Sequence, residues 1–382
     1  MTLKKLCVFP NDPLIAYYEK GEIKERYLNP NNFFDEIHCI STVSKDIDAE
    51  KVQKLAGTAK FQIHSVGKIN VRNYKKELSK VSKLVKTIDP DVIRAFNPLI
   101  EGWLAAKCSN ELKIPFLLSL HTQYESHRKK SKKSNFKKYL IFKYTEKFIE
   151  PFVLQSADKI LIVFDIIESY VKKFTDTRPE VLYNGLDRSL FSPGITQNQQ
   201  KKPLIISVGN LTEVKDHQCL IKAMKGIDAN LLIIGKGKLY SDLQSLIKEN
   251  GLHEKIDIKT SVPHEKLPDY YRSAQVFALA YYPEFESIPK PVMEAMACGL
   301  PVVIPQATKE FATGLENVAI LAKRSPSSFE KKINQLLDNP EILKKYSEKS
   351  LETAKKFDSE KIEERQSQIY SDLIEKMKYD NV

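Results

Sequence analysis

Short apolar runs alternate with longer, helix-patterned segments along most of this chain, and they do so in two separate series. Runs at 6–9, 36–40, 60–64, 92–94, 116–120, 159–163 and 181–183 read as strands, with helical patterns between them, for example at 72–86 and 99–112. A second series begins at Pro203, with strand-like runs at 204–208, 230–234, 256–258, 276–279 and 302–304. Strands alternating with helices build parallel sheets covered on both faces. The stretch 189–202 is polar, contains Pro and Gly, lacks periodicity and reads as a linker. The expected architecture is therefore α/β: two Rossmann-like, doubly wound parallel-sheet domains, 1–188 and 203–358, facing a cleft. A last helix within 359–382 is expected to cross back to the first domain. Ligands of such sheets bind outside the C-terminal ends of the strands.

The length, 382 residues, suits two domains of ordinary size. The chain contains no apolar run of about 18 residues or more, so no membrane span is expected. The first ten residues turn polar too quickly for a signal peptide and read as a first strand. Five cysteines without paired spacing fit a reducing compartment, and no Cys or His cluster has metal-ligand spacing. Those features point to a cytoplasmic protein. The net charge of +11 fits either solvated lysine-rich surfaces or an anionic partner.

The stretch 286–301, ESIPKPVMEAMACGLP, carries the most chemical information. Glu286 lies in a polar loop, and Glu294 falls in the first turns of a short helix. Pro289 and Pro291 mark the helix entrance, Gly299 its stop and Pro301 the exit. A helix N-terminus attracts anions. Carboxylates flanking it suit a ligand with phosphate in the middle and hydroxyls on both sides, as a nucleotide sugar has.

Three further positions fall at strand ends. Gly209 lets the backbone approach a ligand, and Lys215 carries charge just after it. A tight turn with a surface lysine explains the same residues. Gly235-Lys-Gly237 makes another glycine turn, for which a plain turn suffices. His121 ends the 116–120 strand, where an imidazole can bind a substrate hydroxyl or serve structure alone. The segment 128–147 holds nine basic residues and one acid, with Leu140, Ile141, Tyr144 and Phe148 near one helical face. Contact with anionic lipid, contact with nucleic acid and a solvated surface are all open for it, although no nucleic-acid-binding motif is present. The chain lacks a P-loop, a Gly-x-Gly-x-x-Gly after the first strand and a Gly-x-Ser-x-Gly elbow.

Taken together, these residues resemble glycosyltransferase family 4, the retaining glycosyltransferases of GT-B architecture. Glu286 to Glu294 followed by Ala-Met-Ala-Cys-Gly-Leu-Pro-Val is similar to the family's Glu-x7-Glu signature. The stretch 208–215 resembles its Val-Gly-Arg-Leu-x-x-x-Lys, 233–237 its Gly-x-Gly turn, and 183–193 its Asn-Gly-Val-Asp hinge. The stretch 262–274, beginning at Val262, fits the segment before the signature. The resemblance implies a hexosyltransferase that uses a nucleotide sugar, UDP- or GDP-linked, with no cofactor and no metal. Its acceptor would be a lipid-linked or surface-glycan precursor at the cytoplasmic membrane face, with no nucleic acid involved. It implies ribose binding by Glu294, a place for Glu286 near the donor sugar and charge neutralisation on the leaving phosphate by Lys215. His121 would join Lys215 and Glu286 in catalysis. Gly209, Asn210, Gly235, Gly237, Val262 and Ser287 would line the donor site. Backbone N–H groups around Ile288, Pro289 and Lys290 would hold the diphosphate. Asn210 stands where many relatives carry a phosphate-binding Arg, Ser287 replaces a common Gly, and the first loop, 10–22, lacks the usual Gly pair. A nucleotide-sugar epimerase, another GT-B enzyme and a catalytically degenerate basic binding protein are the alternatives.

Overall fold

The structure, a computed structural model, describes residues 3–20, 23–194, 202–284, 287–308 and 314–380. Two compact units emerge: 1–183 together with 361–382, and 184–360. The divisions fall after 183 and 360, where the sequence reading drew them after 188 and 358.

The first unit holds seven strands: β1 (Lys5–Phe9), β2 (Glu36–Ser41), β3 (Lys60–Ser65), β4 (Val92–Ala95), β5 (Phe116–Leu120), β6 (Lys159–Ile162) and β7 (Glu180–Val181). They pair in the order β3-β2-β1-β4-β5-β6-β7, all parallel. The second unit repeats the plan with β8 (Leu204–Val208), β9 (Asn230–Ile234), β10 (Ile256–Lys259), β11 (Val276–Ala278), β12 (Val302–Pro305) and β13 (Ile320–Ala322). Its order is β10-β9-β8-β11-β12-β13, again parallel throughout. In both sheets the order reverses beside the first strand of the unit, between β1 and β4 and between β8 and β11. Such reversals are where open α/β sheets bind ligands, outside the C-terminal ends of the strands.

β1 illustrates why apolar runs become central strands. Leu6 and Val8 enter one core cluster of the first unit, and Cys7 and Phe9 enter the other. Side chains alternate across the sheet, so a strand covered by helices on both faces must be apolar at every position.

The last helix, Ser359–Asp380, belongs to the first unit from residue 361 onward. Ile369, Tyr370 and Leu373 join the core that holds Leu6 and Val8. Arg365 forks onto Glu180 at 2.6 and 3.0 Å. Tyr370 accepts a hydrogen bond from Arg94 Nη1 at 2.8 Å, in the middle of the sheet.

The basic segment forms two helices, Tyr124–Ser134 and Phe136–Phe148, divided at Asn135, whose side chain caps the second. One of its nine cations is no surface charge. Arg128 is buried and bonds both carboxylate oxygens of Glu150 at 2.9 Å. Tyr170 and Thr145 complete the coordination of Glu150. A buried carboxylate and guanidinium must satisfy one another, so Arg128 ties the hairpin to the core.

Candidate functional site

The C-terminal edge of the second sheet gathers the loops after β8, β9 and β11. The loops after β8 and β9 are interlocked. Gly209 N–H donates to Ile234 O at 3.0 Å, Leu211 N–H to Lys236 O at 2.9 Å and Leu239 N–H to Leu211 O at 3.2 Å. A Cβ at Gly235 would lie 1.9 Å from Gly209 O, and one at Gly237 would lie 2.4 Å from Leu211 O. The Gly-x-Gly turn is thus required for loop-against-loop packing, whatever else it touches. Gly235→Ala is expected to destabilise the protein by about 1–3 kcal/mol, the scale of overpacking a filled site, as read from the shift in its urea midpoint.

Lys215 closes a short turn, Glu213–Lys215, and its N–H donates to Thr212 O at 3.1 Å. Its aliphatic stem runs along Gly209, within 3.4–3.5 Å of where a Cβ would stand, and the side chain is buried. Tyr282 N–H donates to Val214 O at 3.0 Å, which joins this turn to the loop after β11. Asn210 is exposed at the tip of its loop.

The second group surrounds helix Lys290–Ala297. Glu294 is only 3% exposed. Tyr271 OH donates to its Oε2 at 2.9 Å, while His264 Nε2 and Lys290 Nζ approach Oε1 at 3.3 and 3.4 Å. Phe191 packs edge-on against both His264 and Tyr271, with ring centres 5.2 and 6.1 Å away. Burial pushes the Glu294 carboxyl pKa up. The His264 and Tyr271 hydrogen bonds and the Lys290 charge outweigh it and hold the group below the usual carboxylate range. Glu294 is therefore an anion at neutral pH, and a carboxylate has about four acceptor positions. Lys290 and His264, both half-exposed, are its solvent-facing partners.

The helix entrance differs from expectation at Pro289. This residue is the N-cap, with an extended ψ of 138°, and has no N–H, so it cannot serve as an anion-holding donor. Pro291 has none either, and Val292 N–H is bonded to Pro289 O at 2.9 Å. Ile288 and Lys290 carry the N–H groups at this entrance. The Lys290 ammonium adds a full positive charge to that of the helix dipole. Ser287 is buried, and its Oγ has no hydrogen-bond partner among the described residues. Val262 is half-buried in the loop that leads to His264. Glu286 lies outside the described residues.

In the first unit, His121 follows β5 with its ring beside Phe96 and Tyr27, at 5.3 and 6.4 Å between centres. Burial, then the charges of Arg94 and Lys24, lower its pKa to about 3. His217, buried in the second unit, is lowered to about 4, mainly by burial. Both imidazoles are neutral in the folded chain at pH 7. Between those values and the ordinary 6.5, the unfolded chain binds protons that the folded chain does not. Stability is then lost as pH falls below about 6.5, and His217→Gln is expected to flatten that loss for the second unit. Urea midpoints at pH 7 and pH 5 for the variant and the parent chain provide the check.

The first loop of this unit is closed by capping. Asp46 accepts the N–H groups of Leu14 and Ile15 at 2.9 and 2.7 Å, so the start of helix Leu14–Lys20 is already occupied by a carboxylate.

Residues 36–190 match the model described as Glycosyltransferase Family 4, and residues 191–353 match that of Glycosyl transferases group 1. The chain belongs to glycosyltransferase family 4. An uncharacterized glycosyltransferase of Methanocaldococcus jannaschii is 26% identical over 285 residues, which cover 74% of this chain and 76% of the relative. A Campylobacter jejuni enzyme named as a diphospho-undecaprenol 4-alpha-N-acetylgalactosaminyltransferase is 27% identical over 229 residues, 56% of this chain and 60% of its own length. Among solved structures, Anabaena HepE in complex with UDP superposes with a TM-score of 0.71 at 14% identity, over 97% of this chain and all of that one. At that identity the match establishes the GT-B fold alone. As a family 4 glycosyltransferase, the chain carries the signature glutamate Glu294 in a setting the sequence did not disclose. His264 and Tyr271 hold it, and both come from the 262–274 stretch that drew notice only as a resemblance.

Proposed function

We propose that this glycosyltransferase moves a hexose from a nucleotide sugar, UDP- or GDP-linked, to a lipid-linked or surface-glycan acceptor with retention at the anomeric carbon. The observation that carries the reading is Glu294, an ionised and nearly buried carboxylate fixed at a positively charged helix entrance. That pairing suits a ligand whose hydroxyls meet the carboxylate while its diphosphate meets the Ile288 and Lys290 N–H groups and the Lys290 ammonium. Support for the donor class comes from HepE, whose structures hold UDP and UDP-glucose. Support for the acceptor class comes from the C. jejuni relative, named for a diphospho-undecaprenol substrate, and from a Mycolicibacterium smegmatis relative named as a GDP-mannose-dependent phosphatidylinositol monomannoside mannosyltransferase.

In this reading, the bond from the anomeric carbon to the β-phosphate oxygen breaks and negative charge grows on the diphosphate. Lys215 and Lys290 stabilise that charge in place of a metal. The acceptor hydroxyl attacks from the face the diphosphate leaves, and the departing phosphate takes its proton. Glu286 holds the donor sugar, and neutral His121 offers a hydrogen bond to the substrate. Among the described residues no helix is long and apolar enough to cross a membrane. Access to a lipid-linked acceptor is proposed to come from peripheral contact of 128–147 with an anionic membrane on the cytoplasmic side.

A thermal-shift panel of UDP-, GDP- and ADP-sugars tests the proposal. A rise in melting temperature with one base class, lost on Glu294→Ala, supports it. No rise with any donor would favour a degenerate binding protein instead.

A further inference from the structure

Exposed large apolar side chains are few among the described residues, and four of the seven lie on one helix. On Phe136–Phe148, Phe136 is 60% exposed, Leu140 53%, Ile141 42% and Phe148 56%. The other three, Leu3, Tyr18 and Tyr240, are scattered, as single exposed residues ordinarily are. A cluster of four on 13 residues is a patch, and patches mark contact surfaces.

The patch continues into a groove of about 430 Å³ on the same unit. Five rings line it, those of Tyr74, Trp103, Tyr144, Phe148 and Phe152. Tyr74 and Trp103 pack edge to face with centres 4.7 Å apart, and Tyr74 OH and Tyr144 OH are 2.9 Å from each other. Two lysines stand at the rim. Lys107 Nζ lies 4.3 Å from the centre of the Phe152 ring, and Lys75 Nζ lies 5.9 Å from that of Tyr74. Among the described residues neither ammonium meets a carboxylate.

We infer that this aromatic groove is a seat for an anionic phospholipid, whose headgroup phosphate bridges Lys75 and Lys107 while the exposed face of helix Phe136–Phe148 enters the bilayer surface. The inference rests on the proposed membrane contact and relocates its specific part from the basic run to the groove. Charge selects the occupant. Lysines 137, 138, 143 and 147 share this helix with the exposed apolar residues, and its single acid, Glu146, is engaged by Lys143 and Arg128. Two such cationic faces would repel one another, which argues against a second copy. The chain carries no nucleic-acid-binding motif, and Leu140 and Ile141 put aliphatic surface between the exposed rings of Phe136 and Phe148, which suits acyl chains better than a stacked strand. Aliphatic and aromatic side chains ringed by lysines match the boundary between acyl chains and anionic headgroups.

Flotation of the full chain with phosphatidylglycerol–phosphatidylcholine vesicles, against pure phosphatidylcholine, tests the proposal. The parent chain is expected to float only with the anionic vesicles. Lys75→Glu/Lys107→Glu and Phe136→Ser/Leu140→Ser/Ile141→Ser are each expected to reduce partition by about tenfold or more. Lys248→Glu/Lys345→Glu, the same charge change on exposed lysines of the other unit, is expected to partition like the parent. If the Lys75/Lys107 variant floats as the parent does, the groove is not the seat, although membrane contact stands. Equal loss in the Lys248/Lys345 control would reduce the effect to net charge and overturn the groove. A parent chain that never floats overturns both. Competition by single-stranded RNA, abolished by the groove variant, would reassign the surface to nucleic acid. Circular dichroism and the nucleotide-sugar thermal shift, expected to be unchanged in all variants, separate these outcomes from misfolding and from failure of the transferase reading.

Discussion

Replacing Lys215 with alanine is expected to lower turnover by about 10²–10³-fold, the scale seen when one preorganised charge-stabilising group is removed from a reacting centre. The physical basis is fixed position. Lys215 is buried with its stem along Gly209, and its turn is bonded to the loop after β11 through Tyr282 and Val214. A cation already held in place needs no reorganisation when charge develops on a leaving diphosphate. The expected signature is a fall in kcat with a smaller change in KM, because the charge it meets grows mainly in the transition state. Lys215→Arg should recover part of the rate. Near-normal turnover in a folded Lys215→Ala protein, verified by circular dichroism, would remove the residue from the chemistry.

The second large effect concerns Glu294. Glu294→Ala is expected to weaken nucleotide-sugar binding by about 1.5–3 kcal/mol, the range for hydrogen bonds made to a charged group. It removes the acceptor for donor hydroxyls and also leaves the buried Tyr271 OH without its partner, so some loss of thermal stability should accompany the loss of affinity. Calorimetry on Glu294→Ala and on Tyr271→Phe separates the two effects. The tyrosine variant leaves the carboxylate in place and should retain most of the affinity. Unchanged affinity in Glu294→Ala would end the proposed role of this residue.

Much of this was legible in the sequence. Twelve of the thirteen strands coincide with strand-like runs: central β8, buried along its whole length, reads as a nearly continuous apolar run, while edge strand β10 alternates, with Ile256 and Ile258 buried and Asp257 and Lys259 exposed. β13, Ile320–Ala322, was missed although it lies within a five-residue apolar run, 318–322, that was as legible as the others. The lack of an N–H at Pro289 was legible in principle, because it follows from the residue type alone. Arg128 could not have been separated from its neighbours by composition, since only its buried contact with Glu150 distinguishes it.

The sequence alone determined the twofold βα pattern, the family motifs and the proximity of Lys290 to Glu294, one helical turn apart. These are local or periodic properties, carried by residue type and spacing. The tertiary structure decided the rest. It brought His264, after β10, and Tyr271 to Glu294, locked the glycine turn after β9 against the loop after β8, and set His121 beside Phe96. It also laid the aromatic groove open between helices distant in sequence. Each of these depends on strand order and helix packing, in which residues tens of positions apart become neighbours through burial of apolar faces, and no local pattern records that.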